Sequence, residues 1–298
     1  MHKPTVIFLL GPTAAGKTEF ALKLAKEIDA EIISCDSMQV YKRMDIISSK
    51  PSPSQRREVK HHLIDIIPSN KTYNVSLYRR SALKAIKLIL RKKKTPLFVG
   101  GTGLYASAVL DGIFKGPGED RRIRKKLYQQ AEKRGARYLF QRLLKVDPLA
   151  AARIHPHDLK RIIRALEVWE KTRKPISRWQ TQRQGIIQDY NVEIFCINRS
   201  RQELYGRINQ RVEQMFKKGL VKEVSRLLKG RLSKTASCAI GISEIKDYLA
   251  GRCSLNQTKD LIKRHTRQYA KRQLTWFRKD KRISWINITD KKLGFSLA

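Results

Sequence analysis

The chain has 298 residues, 41% of them hydrophobic, enough for a real core in one large domain or two smaller ones. Lys and Arg total 64 against 26 Asp and Glu, a formal charge of +38 that suits a nucleic-acid partner first and a membrane surface second, unless it reflects a lysine-rich proteome. Cys35, Cys196, Cys238 and Cys253 form no C-x-x-C or Cys/His cluster, so neither a zinc site nor a disulfide framework is indicated and buried, reduced thiols are expected; without a signal-peptide pattern or an apolar run of about 20 residues, a cytoplasmic protein that does not span a membrane is expected.

The first predicted element is a strand over residues 6–10, followed by Gly11, Pro12, Thr13, Ala14, Ala15, Gly16, Lys17 and Thr18 and then a helix to about residue 28. Strand, G-x-x-x-x-G-K-[ST] and helix in that order make a P-loop, in which glycines let successive N–H groups turn toward phosphate oxygens. Lys17 adds a point charge, the Thr18 hydroxyl is placed to ligate Mg²⁺, and the helix contributes its positive end. The motif identifies a phosphate or diphosphate without saying whether it is transferred, hydrolysed or released.

A second strand over 31–34 runs into Asp36, a helix covers 77–94, and a third strand over 96–99 runs into Gly100, Gly101, Thr102 and Gly103. This alternation predicts an α/β fold with a P-loop NTPase-like parallel sheet and ligands at the strands' carboxyl ends, so that the P-loop, Asp36 and Thr102 face one crevice. Asp36 reads either as a carboxylate accepting a proton from a nucleophile or as the cap of the next turn. A break at residues 115–118 opens a helical stretch over 121–184 with no good strand. Strand character returns at 191–197, then a helix with Leu204, Ile208, Val212 and Phe216 on one face and Arg207 and Arg211 on the other, either a phosphate clamp or a solvated face. Near the C-terminal end Arg264, Arg267, Tyr269, Lys271, Arg272, Trp276, Phe277 and Arg278 mix cations with rings, as nucleic-acid contacts or as an amphipathic helix burying Trp276 and Phe277. A last strand-like piece spans 283–288. The divisions expected are 1–115 for the first part of the core, 116–190 for a helical insertion domain and 191–298 for the rest of the core.

In order and spacing these pieces resemble the bacterial tRNA dimethylallyltransferases, also called tRNA isopentenyltransferases, through nearly the whole chain. The resemblance rests on the P-loop, Ser34-Cys35-Asp36-Ser37, Lys50-Pro51, His61-His62-Leu63-Ile64-Asp65, Gly100 to Tyr105, Arg161 with Arg164-Ala165-Leu166-Glu167, Arg207 to Met215, and Lys271-Arg272-Gln273 with Thr275-Trp276. It implies transfer of a dimethylallyl group from dimethylallyl diphosphate to N6 of adenosine 37, beside the anticodon of tRNAs reading codons that begin with U. Asp36 would deprotonate the amine, Thr102 would lie at the same centre, and Arg211 with Lys17, Thr18 and Mg²⁺ would neutralise the leaving diphosphate held by the P-loop. The anticodon stem-loop would meet Asp36, Ser37, Met38, Gln39 and Thr102, then Arg124, Lys160, Arg161, Ile162, Ile163 and Arg164 of the insertion, then Lys271, Arg272, Gln273, Trp276 and Arg278. A monomer is the default.

The sequence departs from the family at Ile47-Ser48-Ser49, where Gly-Thr-Ala is usual, and at Ile242-Ser243, where Tyr and a basic residue are usual; Ser76-Leu77-Tyr78 replaces Ala-Asp-Phe. Two other readings are a P-loop kinase or NTPase, whose nearest Walker B candidate is the short Leu63-Ile64-Asp65, and a basic RNA-binding protein without catalysis.

Overall fold

The computed structural model describes residues 3–114 and 116–288. In chain order the elements are β1 (Thr5–Leu10), α1 (Lys17–Glu27), β2 (Ala30–Cys35), α2 (Pro53–Glu58), β3 (His61–His62), α3 (Val75–Arg91), β4 (Thr95–Gly100), α4 (Gly103–Leu110), α5 (Arg121–Val146), α6 (Pro148–Ala151), α7 (Leu159–Thr172), α8 (Ile176–Gln180), β5 (Asn191–Asn198), α9 (Arg201–Lys217), α10 (Leu220–Leu228), α11 (Ile242–Leu249), α12 (Leu255–Phe277) and β6 (Ser284–Asn287). The strands form one parallel sheet in the order β3-β2-β4-β1-β5-β6.

The central strand explains the layering. Successive side chains of a strand point to opposite faces. Val6, Phe8 and Leu10 of β1 join one buried cluster, while Ile7 and Leu9 join another. The first cluster takes in Tyr78, Ala82, Ile86 and Ile89 of α3 and Val109 of α4; the second takes in Phe20 and Leu24 of α1, Leu204 and Ile208 of α9 and Ala270 of α12. A strand covered on both faces reads as an unbroken apolar run, which is why 6–10 was legible as a strand. Phe8 and Phe98, paired in register across β1 and β4, stack at 4.3 Å between centroids.

From β1 the chain passes to β2 on one side of the sheet, and from β4 it crosses to β5 on the other. The turns after β1, β2 and β4 therefore open where strand order reverses, the place at which open α/β sheets bind ligands.

The chain divides into two compact units, residues 1–110 with 186–298 and residues 111–185. The insertion is thus five residues earlier at each end than expected (111 against 116, 185 against 190), because Ile186 already packs into the sheet's core and its N–H donates to the Val109 carbonyl. The helical unit has its own core of Leu127, Leu139, Leu143, Ile162, Ile163, Leu166 and Val168. Its long helix α5 is interrupted at Gly135, where φ is +79°.

Among the described residues no helix is long and apolar enough to cross a membrane. The expectation of four buried thiols holds for Cys35 and Cys196 and fails for Cys238, which is exposed, and Cys253, which is half-buried.

Candidate active site

The P-loop leaves β1 through Gly11, and α1 starts at Lys17 behind Gly16, whose φ is +96°. No side chain caps this helix, so its first-turn N–H groups are left to an external anion. Ala14 also has a positive φ of 63°, an uncommon state for a residue with a Cβ. Two arginines hold the loop in that shape. Arg199 Nε donates to the Ala15 carbonyl at 2.9 Å, and Arg207 Nε to the Ala14 carbonyl at 3.0 Å. Arg207 is therefore not on a solvated face. Arg199, buried just past the end of β5, was not singled out from sequence; the signal available was a basic residue directly after a strand.

Lys17 Nζ donates to the carbonyls of Gly11 (3.0 Å) and Pro12 (2.7 Å). Burial, and then repulsion from Arg211, bring its pKa down to about 8 against the attraction of Asp36. Burial also lowers the Arg211 pKa, with Asp36 opposing. Two desolvated cations beside a phosphate-loop motif make an environment that favours a bound anion strongly, because low dielectric strengthens each attraction.

Asp36 follows β2, and its capping reading holds while its carboxylate still reaches the cleft. Its Oδ1 accepts the Met38 N–H at 2.8 Å, which caps the turn after the strand. The carboxylate also lines a cleft of about 850 Å³ together with Lys17, Thr18, Arg207, Arg211 and Tyr269. Thr102 stands behind it. The Thr102 hydroxyl accepts the Ser37 N–H at 3.1 Å and donates to the Ser37 hydroxyl at 3.4 Å, so it braces the Asp36 turn. Tyr269 of α12 hydrogen-bonds Thr102; burial, and then the charge of Asp36, push its phenol up to about 12. Gln39 accepts from the Ser34 hydroxyl at 2.8 Å and lines the same cleft.

The far wall of the cleft includes Ile46, Ser48, Ser49 and Lys50. Glu223 of α10 accepts N–H groups from Asp45, Ile46 and Ile47 at 2.8–3.0 Å and so fixes that loop. Nothing in the sequence marked Glu223, since a carboxylate on an amphipathic helix is ordinarily solvated. The departure at Ile47 lies against the turn just before the one at 242–243: a Cβ on Gly241, the residue capping α11, would stand 3.4 Å from the Ile47 side chain. Asp65, the Walker B candidate, lies beyond the two-residue β3 and binds Lys50 at 2.6 Å and Arg56 at 2.7 Å, so it is a structural ion pair and not a metal-facing strand end. That removes the sequence feature closest to a kinase reading.

The expected RNA contacts divide. Lys271 and Arg272 are exposed along α12 and Arg278 at its C-cap, and Trp276 is 39% exposed while its ring packs where a Cβ on Gly103 would stand. Gln273 is a correction: it is buried, and its amide is satisfied inside the fold. In the helical unit Lys160 and Arg161 are exposed, whereas Ile162 and Ile163 are core residues whose side chains reach no partner outside, a second correction. The helical period explains it, because residues adjacent in sequence fall on different faces. Arg124 and Arg164 both bind the fully buried carboxylate of Glu167, Arg124 through two bonds of 3.0 and 3.1 Å. Glu167 also accepts the Asp120 N–H at 2.7 Å. Burial acts to raise its pKa, but the hydrogen bonds from Arg124, Asp120 and Arg164 hold it below the usual carboxylate value.

Comparison with known proteins decides the family. The family model described as IPP transferase matches residues 39–280, and one described as isopentenyl transferase matches residues 4–66. This chain belongs to the IPP transferase family. Relatives named tRNA dimethylallyltransferase include those of Thermotoga maritima, 47% identical over 286 residues (95% of this chain, 92% of that protein), and Carboxydothermus hydrogenoformans, 49% identical over 285 residues (95% and 91%). Among solved structures, the full-length tRNA isopentenylpyrophosphate transferase of Bacillus halodurans matches with a TM-score of 0.72 at 38% identity, covering 98% of this chain and 92% of that one. A eukaryotic dimethylallyltransferase described as acting on tRNA matches with a TM-score of 0.79 at 26% identity, covering 97% and 75%. The family's P-loop-like α/β architecture is the one described above.

Proposed function

We propose that this protein is a tRNA dimethylallyltransferase that moves the dimethylallyl group of dimethylallyl diphosphate onto N6 of adenosine 37 in tRNAs reading codons that begin with U. Family membership and the relatives' activities support prenyl transfer to tRNA. The observation that carries the mechanism is a carboxylate, Asp36, facing two desolvated cations, Lys17 and Arg211, across one cleft.

The diphosphate takes the P-loop, residues 11–18, with Lys17 and Arg211 compensating the charge that grows as the carbon–oxygen bond breaks. Asp36 accepts the proton from the attacking exocyclic amine as the carbon–nitrogen bond forms. Thr102 and Ser37 keep the Asp36 turn in register. The donor set fits a hard cation such as Mg²⁺, since the oxygen donor of Thr18 lines the cleft beside the diphosphate site. The Thr18 hydroxyl and diphosphate oxygens would hold it, and when bound it supplies further charge neutralisation to the leaving group. Adenosine 37 lies in a loop, where extruding a base costs only a few kcal/mol.

The exposed cations of α12 and its C-cap (Lys271, Arg272, Arg278) and of the helical unit (Lys160, Arg161) suit the phosphates of an anticodon stem-loop. A cytoplasmic monomer is the matching cellular form. The deciding experiment incubates the purified protein with labelled dimethylallyl diphosphate, Mg²⁺ and unmodified tRNA bearing adenosine at 36 and 37. Label on N6 of adenosine 37 is the expected result. ATP turnover without prenyl transfer, or tRNA binding with neither reaction, would refute the proposal.

A further inference from the structure

The helix α12 presents one face to the site through Tyr269, Gln273 and Trp276, four and three residues apart, the spacing of neighbours on one side of a helix. Tyr269 meets Thr102, and Trp276 packs on Gly103. Gln273 lies between them and reaches two separate loops. Its Oε1 accepts the N–H of Thr13 in the P-loop at 2.9 Å, and its Nε2 donates to the Gly101 carbonyl after β4 at 2.8 Å. The side chain is 6% exposed, and its amide joins two turns that lie on neighbouring strands of the sheet. Gly101 is shaped to this contact: a Cβ there would stand 2.1 Å from the Gln273 Nε2.

We propose that Gln273 is a positioning residue for the phosphate loop, tying Thr13 to Gly101 so that the loop keeps its anion-binding shape before substrate arrives. The proposal rests on the reading of residues 11–18 as a diphosphate site. It replaces an RNA-contact role for Gln273, whose amide is buried and bonded to both loops inside the fold, while Lys271 and Arg272 beside it stay exposed. Only a side chain of this length with an acceptor and a donor on one planar group serves both loops. Without it, the Thr13 N–H and the Gly101 carbonyl lose their shared partner, and the loop relaxes toward other conformations that bind anions less well.

The test uses the full chain, titrated with inorganic diphosphate and Mg²⁺ by calorimetry and, separately, with a fluorescent anticodon stem-loop. Q273M keeps the side chain's size and removes both hydrogen bonds; G101A disturbs the same contact from the β4 side, where its Cβ would meet the Gln273 amide and, at 3.0 Å, the Gly11 carbonyl. Both variants should weaken diphosphate binding about tenfold, as expected for lost preorganisation through one or two hydrogen bonds. The KM for dimethylallyl diphosphate should rise in step, with stem-loop affinity and the KM for tRNA held within about twofold. Melting curves verify that each variant is folded, and if Q273M does not fold, Q273E, which keeps the acceptor for Thr13 and loses the donor to Gly101, takes its place beside G101A. Wild-type diphosphate affinity in the folded variants would overturn the proposal, as would weaker stem-loop binding with diphosphate binding unchanged in Q273M. If the wild-type protein bound no diphosphate, the reading of the site would itself fall.

Discussion

The α/β unit and the helical unit draw on the same basic residues and use them in opposite ways. Around the cleft, Lys17 and Arg211 are half-buried and lose part of their hold on protons, while Arg199 and Arg207 are tied to loop carbonyls. In the helical unit, Arg124 and Arg164 share one buried glutamate, and Lys160 and Arg161 stand in solvent. A net charge of +38 is therefore not one property. Half-buried cations offer a site for one small anion in a fixed geometry, whereas exposed cations offer a salt-sensitive field to a long polyanion. The two kinds of charge should respond differently to mutation, pH and salt.

The largest effect is expected at the carboxylate that faces the half-buried cations. Asp36→Asn preserves the cap on Met38 but removes the proton acceptor, so prenyl transfer should fall by about 10²–10⁴-fold. Equilibrium binding of tRNA should stay within a few-fold. Retained turnover, measured in single-turnover assays, would remove Asp36 from the chemistry.

Next comes Lys17. Its pKa of about 8 lies below the ordinary lysine value, so in the free protein it carries its full charge only below that pH. Affinity for dimethylallyl diphosphate should weaken as pH rises through about 8, and Lys17→Met should bind weakly with no step in that range. The sign for stability is opposite: the unfolded chain holds the proton up to the ordinary lysine pKa, so this group's contribution to stability rises between about 8 and that value. A pH-independent affinity in the wild-type protein would show that Lys17 is not the group that meets the anion.

In the helical unit the main effect should be on stability. Glu167→Ala leaves Arg124, Arg164 and the Asp120 N–H without their shared partner, a loss of about 3–5 kcal/mol typical of breaking a buried pair. Chemical denaturation of the full chain measures it, and a loss below about 1 kcal/mol would mean that solvent already satisfies both arginines. The smallest effect is expected at Lys160→Ala and Arg161→Ala. Each should lower the slope of log affinity for tRNA against log salt by about 1 and leave the turnover of bound tRNA unchanged. An unaltered slope would separate that helix face from the RNA.

Much of this was legible in the chain itself, for definable reasons. The run over 6–10 reads as a buried parallel strand because both of its faces are covered. The P-loop was legible because its chemistry needs glycine, lysine and threonine at fixed offsets. The order of strand ends placed Asp36 and the P-loop in one crevice, since parallel strands carry their turns to a common edge. The helical stretch was visible through its period, although its borders fell five residues late, where Ile186 belongs to the sheet's core.

Which polar side chains face inward was decided only by the tertiary structure. Gln273 and its neighbours Lys271 and Arg272 look alike as an RNA-binding run, yet one is a buried strut and the others are exposed. Ile162 and Ile163 lie between cationic residues and still form core. Arg199 and Glu223 gain their roles from loops 184 and 176–178 residues away in sequence. Local sequence sets which conformations and chemistries a segment can support. Hydrogen bonds between distant segments depend on the packed arrangement that brings them together, because a donor's value is set by the acceptor that burial places beside it.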